Sequence, residues 1–181
     1  MIASFRSSLL VIVTCVLGAF SFGAVAAEKA DESNPLASIP LRAIGPAITS
    51  GRISDFAFYP GRNQEFLVAT AAGGLWKTDN AGITWTPLFD NEASYSIGVV
   101  ELDPNDSKTI WVGSGENNAQ RSVAYGDGVY KSVDGGKTWK HMGLRDGEQI
   151  PVIRVDPKDP NRVFAAVLGH PYGANKERGI F

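Results

Sequence analysis

The sequence predicts an all-β chain, on three observations. An eight-residue motif, Ser132-Val133-Asp134-Gly135-Gly136-Lys137-Thr138-Trp139, returns in variant form as Thr78-Asp79-Asn80-Ala81-Gly82-Ile83-Thr84-Trp85. Each copy follows the same short strand pattern, Gly74-Leu75-Trp76-Lys77 and Gly128-Val129-Tyr130-Lys131, and Gly179-Ile180-Phe181 opens a third. From Gly51 onward, short runs rich in Val, Ile, Phe, Trp and Thr alternate with Gly, Pro, Asn and Asp, and no window sustains helical periodicity.

These runs align into units of four strands. Residues 53–58, 66–70, 74–78 and 84–89 make the first unit, and residues 97–102, 109–114, 128–132 and 138–144 repeat it. Residues 153–155 and 163–167 open a third, and Pro60, Pro104 and Pro157 mark the same first turn in each. Units of about 40 to 50 residues with four strands have the size of a β-propeller blade. The expected architecture is a β-propeller of about two and a half four-stranded blades, at about 49–90, about 95–144 and, incomplete, about 149–181. A ring needs about four blades or more, and open blade faces invite aggregation. The chain is therefore expected to be a fragment of a larger propeller, its remaining blades supplied in cis.

Residues 1–27 read as a signal peptide: Arg6, an apolar run over residues 9–22, then Ala24-Val25-Ala26-Ala27. Residues 28–43 read as a flexible leader before the partial propeller of residues 44–181. The expected location is secreted or periplasmic, with no stable membrane span after cleavage. Cys15, the only cysteine, lies in the apolar run, so the exported part has no disulfide, thiolate metal site or cysteine nucleophile. The net charge of −2, without a basic cluster, argues against a nucleic-acid partner. The acidic stretches Asp103-Pro104-Asn105-Asp106 and Asp156-Pro157-Lys158-Asp159 lack the spacing and glycine of a calcium loop. No metal and no cofactor is expected.

The repeated motif has a mechanism that needs no ligand. A hydroxyl and a carboxylate two residues apart can hydrogen-bond the turn that carries them. Gly82 and Gly136 supply the positive φ, and Trp85 and Trp139 are expected to pack between neighbouring sheets. Residues 132–139 resemble the Asp-box, or bacterial neuraminidase repeat, found between the third and fourth strands of propeller blades in sialidases, xyloglucanase-type glycoside hydrolases, photosystem assembly factors and sortilin-type receptors. The stretch from Gly113-Ser114-Gly115-Glu116-Asn117-Asn118 to Tyr125-Gly126-Asp127-Gly128-Val129-Tyr130 is most similar to bacterial secreted proteins with a sortilin N-terminal-like propeller. The resemblance implies a structural role for Thr78, Asn80, Gly82, Trp85, Ser132, Asp134, Gly136 and Trp139. The first copy departs by carrying Asn80 in place of aspartate.

Propeller pockets lie on the face opposite these hairpins, where the second unit carries a longer loop with Glu116, Asn117, Asn118, Gln120, Arg121 and Tyr125, followed by Asp127. Loops longer than a turn requires often carry recognition. The equivalent loop of the third unit, Gly169-His170-Pro171-Tyr172-Gly173, adds His170 and Tyr172. Arg52 could receive a ligand carboxylate or bridge Asp55. The bland reading pairs Glu116 and Arg121 with neighbouring blades and packs His170 into its loop. The functional reading is a scaffold that binds a protein, peptide or glycan. Its rival is a glycoside hydrolase, which needs two carboxylates about 5–10 Å apart; Glu116 and Asp127 are the available pair. A sialidase resemblance is weakened because Gly51-Arg52-Ile53-Ser54 keeps only the Arg-Ile of that family's opening motif. A xyloglucanase resemblance at Thr70-Ala71-Ala72-Gly73-Gly74-Leu75-Trp76-Lys77 places Ala71 where that family has a catalytic aspartate.

Overall fold

The computed structural model describes residues 51–118 and 123–181, all within the compact unit Ile44–Phe181. The expected signal peptide and leader, together with Arg121, lie outside the described residues. Among the described residues no helix is long and apolar enough to cross a membrane.

The described residues form three antiparallel sheets, each a simple meander. The first is β1 Ile53–Phe58, β2 Phe66–Thr70, β3 Leu75–Thr78 and β4 Thr86–Pro87. The second is β5 Ile97–Leu102, β6 Ile110–Ser114, β7 Val129–Ser132 and β8 Lys140–Gly143. After a 3-10 turn at Arg145–Gly147, the third comprises β9 Val152–Asp156, β10 Asp159–Val167 and β11 Gly179–Ile180. The expected fourth strand over residues 84–89 contracts to Thr86–Pro87. The Thr84 N–H is taken by Asn80 Oδ1 at 2.8 Å, and Pro87 has no N–H to give.

Strand alternation divides each sheet into two apolar faces. Val100, Val112 and Tyr130 of the second sheet pack on Ala57, Leu67, Leu75 and Phe89 of the first. The opposite face of the same sheet, Val99, Trp111 and Val129, packs on Ile153, Val155, Ala165 and Val167 of the third. The cores therefore lie between sheets, as in the blades of a β-propeller. The first strands sit side by side and are tied by polar bonds. Ser54 Oγ donates to Ile97 O at 2.6 Å, the Val100 N–H donates to Asp55 Oδ2 at 3.1 Å, and Arg154 pairs with Glu101 at 2.8 Å. Burial pushes the Glu101 carboxyl up, and the Arg154 charge pulls it back in part.

The repeated motifs form the hairpins between third and fourth strands. Ser132 Oγ accepts the Gly136 N–H at 2.9 Å and donates to Asp134 Oδ1 at 2.8 Å. Asp134 also accepts the Thr138 N–H at 2.9 Å and its hydroxyl at 2.6 Å. The hydroxyl bond, followed by the N–H bond, holds the Asp134 carboxyl well below the usual carboxylate range. In the first hairpin Asn80 keeps the turn with its amide: Oδ1 accepts the Thr84 N–H and Nδ2 donates to Thr84 Oγ1, both at 2.8 Å.

The two tryptophans part ways. Trp139 bridges sheets, its Nε1 donating to Leu88 O at 2.7 Å and its ring standing edge-on to Phe89 with centroids 5.1 Å apart. Trp85 does not join two described sheets. It meets Phe66 of its own sheet at 5.7 Å and stays 41% exposed, because the face it belongs to is the outer one of the first sheet.

Candidate functional site

The connections between second and third strands, together with the segment joining second and third sheets, converge on one rim. Gly126 N–H donates to Glu148 O at 2.7 Å, Ile150 N–H to Ser114 O at 3.1 Å and Leu168 N–H to Gln149 O at 2.9 Å. The joining segment is thereby stitched to the second sheet on one side and the third on the other. The approach is close enough that a Cβ on Gly115, whose φ is +91°, would overlap the Glu148 carbonyl.

On this rim Tyr125, Glu148, His170, Pro171, Tyr172 and Gly173 line an open groove of about 290 Å³. Tyr125 is 55% and Tyr172 79% exposed. His170 Nε2 lies 3.0 Å from Glu148 Oε1 and 3.3 Å from Asp146 Oδ1, though neither contact has hydrogen-bond geometry. Asp146 is held in turn by Asn175 Nδ2 at 3.0 Å. Arg178 shapes the loop by donating to three carbonyls: Leu168 at 2.8 Å, Gly173 at 3.0 Å and that of His170. The groove thus joins three of the residues singled out in the sequence, Tyr125, His170 and Tyr172. Asn175 ends the loop from Gly169 that the sequence offers as a recognition surface, whereas Glu148, Asp146 and Arg178 were missed. They lie in connecting segments without periodicity, and the one available signal was the excess of charge around Arg145-Asp146-Gly147-Glu148.

The remaining candidates take other positions. Glu116 is 7% exposed and forms an ion pair with Arg52 of the first sheet, while its Oε2 accepts the Ala124 N–H at 3.3 Å. Arg52 thus bridges Glu116, and the Asp55 carboxylate instead bonds the backbone of Phe56 and Val100. Asn117 Nδ2 donates to Gly98 O at 3.4 Å, and Asn118 is exposed. Asp127 accepts the Tyr130 hydroxyl at 2.5 Å and the Ser114 hydroxyl at 3.3 Å, with Arg145 3.9 Å away. Burial, then this bond to Asp127, pushes the Tyr130 hydroxyl well above its ordinary value. His141 Nδ1 accepts the Gly143 N–H at 3.1 Å, so Nε2 carries the hydrogen and donates to Asp127 O at 2.7 Å. Each carboxylate of the expected catalytic pair therefore has its own set of protein partners. Among the described residues no group of His, Cys, Asp and Glu has the arrangement of a metal site.

No known family profile matches the chain. It is similar to the xyloglucanase Xgh74A of Acetivibrio thermocellus, at 31% identity over 106 residues that cover 46% of this chain and 12% of that protein. It is also similar to the vacuolar protein sorting/targeting protein 10 of Sordaria macrospora, at 28% identity over 95 residues, covering 50% of this chain and 5% of that one. Its fold resembles the crystal structure of an ancestral GH74 enzyme with a TM-score of 0.53 and 19% identity, over 70% of this chain and 15% of the other. The chain thus spans about an eighth or less of the proteins it matches in sequence. It is a distant relative of xyloglucanases and of a vacuolar sorting protein, built as a set of β-propeller blades.

Proposed function

We propose that the chain is part of an exported Asp-box propeller that binds a glycan in the groove between Tyr125 and Tyr172. The observation that carries this reading is the pair of exposed aromatic rings beside a polar wall of Glu148 and His170. Sugar rings offer an apolar C–H face that stacks on aromatic side chains and hydroxyls that need hydrogen-bond partners; a largely preformed groove meets both demands. The similarity to xyloglucanases makes xyloglucan oligosaccharides the first ligands to try. Binding is favoured over hydrolysis because Glu116 is buried against Arg52 and Asp127 is tied to Tyr130 and Ser114. Calorimetric titration with these oligosaccharides should show saturable binding that Tyr172→Ala weakens at least about tenfold, the loss of about 1.4 kcal/mol of stacking. Release of reducing sugar that Glu116→Gln abolishes would replace this reading with the hydrolase. The similarity to the sorting protein favours a second reading, a peptide ligand in the same groove; competition between peptide and oligosaccharide separates the two.

A further inference from the structure

The segment that joins the second and third sheets carries a backbone outlier at the groove. Glu148 has φ +51° and ψ −36°, and the Gln149 N–H donates to Gly147 O across it. This is a three-residue γ-turn whose central φ is positive, a strained conformation that a residue with a Cβ rarely adopts. Leu144 also has a positive φ, of +59°, but its ψ of +43° keeps it in the left-handed helical basin. Glu148 lies outside that basin.

The repeat supplies an internal control. Tyr95 holds the place of Glu148 in the segment that joins the first and second sheets. Its carbonyl accepts the N–H groups of Gly73 and Gly74, as the Glu148 carbonyl accepts that of Gly126. The next residues match as well, Ser96 O accepting the Gly115 N–H and Gln149 O the Leu168 N–H. Yet Tyr95 is not among the described non-glycine residues of positive φ. Joining two sheets therefore does not require the outlier, and the strain at Glu148 has another cause. The side chain gives one. Whereas Tyr95 stands 63% exposed, the Glu148 side chain is 24% exposed and sets Oε1 3.0 Å from His170 Nε2, in the groove that Tyr125 and Tyr172 border.

We propose that Glu148 is the specificity-determining residue of the groove, held there by the strained turn so that neutral sugars are chosen over acidic ones; this rests on the glycan reading above. With Oε1 facing His170, Oε2 accepts a hydroxyl of the sugar stacked on Tyr172, a charge-assisted bond. The same charge repels a uronate. Asp146 Oδ1, 3.3 Å from His170 Nε2, adds a second carboxylate to this wall, and the nearby Arg178 guanidinium is engaged by the carbonyls of Leu168, His170 and Gly173. A ligand carboxylate would meet like charge, and that repulsion shapes specificity as much as the bond to a hydroxyl does.

Two substitutions separate the side chain from the backbone. In titration calorimetry the unaltered chain should bind xyloglucan oligosaccharides and not oligogalacturonate. Glu148→Gln, which keeps the Cβ, should weaken the neutral ligand about tenfold and narrow the gap between the two. Glu148→Gly should weaken it at least as much, yet unfold at higher urea than Glu148→Gln, because glycine takes a positive φ without strain. Tyr95→Gly, at the unstrained counterpart, should instead unfold at lower urea than the unaltered chain. A Glu148→Gly chain that binds as the unaltered one does, or that unfolds at lower urea than Glu148→Gln, would overturn the assignment and leave the glycan reading standing. So would oligogalacturonate binding to the unaltered chain as tightly as the neutral ligand. No binding of either oligosaccharide by the unaltered chain would remove the glycan reading and the assignment with it.

Discussion

At the scale of single residues, the two hairpins form an internal comparison. Asp134 and Asn80 make the same turn, one with a charge and one without. Because the Thr138 hydroxyl and N–H bonds hold the Asp134 carboxyl low in the folded chain, the unfolded chain binds its proton at higher pH, near about 3.9. The carboxylate's stabilising effect is therefore complete above that value and is lost as pH falls toward the folded value. Urea unfolding should show Asp134→Asn less stable at pH 7, with the difference narrowing steadily below about pH 4; a difference independent of pH would refute the account. The Arg52–Glu116 pair acts by a different route, since one partner is buried and the other half exposed. Arg52→Ala leaves the buried Glu116 carboxylate without its cation, and should cost about 1–3 kcal/mol in unfolding free energy. It should also loosen the start of the 116–125 loop, read by amide hydrogen exchange at Glu116 and Ala124, whose backbones are bonded at 2.9 Å.

At the scale of elements, the strands were legible because each is a short run rich in Val, Ile, Phe, Trp and Thr and each turn is marked by Gly, Pro, Asn or Asp. Ile53–Phe58, Phe66–Thr70 and Ile97–Leu102 fall where the pattern puts them. The outer strands were less so, since they have few neighbours to impose periodicity and the motif's side chains compete for their backbone, as Asn80 does for Thr84. The site was half legible for a related reason. Tyr125, His170 and Tyr172 stand in loops longer than their turns require, but Glu148 enters the groove only because the joining segment is clamped between Gly126 and Leu168, a tertiary fact with no local signature. The tryptophans show the same limit, because one motif buries Trp139 and leaves Trp85 at an open face. Trp139→Phe keeps the apolar ring beside Phe89 but removes the bond to Leu88 O, so it should lower stability by about 1 kcal/mol in chemical denaturation. Trp85→Phe, at a ring that is 41% exposed, should cost much less.

At the scale of the whole unit, the groove exists because glycines let the second and third sheets approach. A Cβ on Gly113 would come within 2.7 Å of both Val99 Cγ1 and Ile150 Cγ2, and one on Gly115 would run into the backbone of Glu148. Gly135 is the useful contrast: its φ of +78° is equally unfavourable to a side chain, yet nothing lies within 4 Å of its Cβ position. Gly135→Ala should therefore cost only the backbone strain of about 1–2 kcal/mol. Gly115→Ala adds about 1–3 kcal/mol of overpacking to the same strain, and the clash is with main chain that no rotamer can relieve. Its effect should also be directional. Tyr125 reaches the groove from the second sheet and His170 and Tyr172 from the third, so pushing the joining segment outward separates the walls that a ligand must touch together. Gly115→Ala should then lose oligosaccharide binding under conditions where it remains folded, while Gly135→Ala binds as the unaltered chain does. Equal loss of binding in both would mean that the groove follows global stability rather than the close approach of the two sheets.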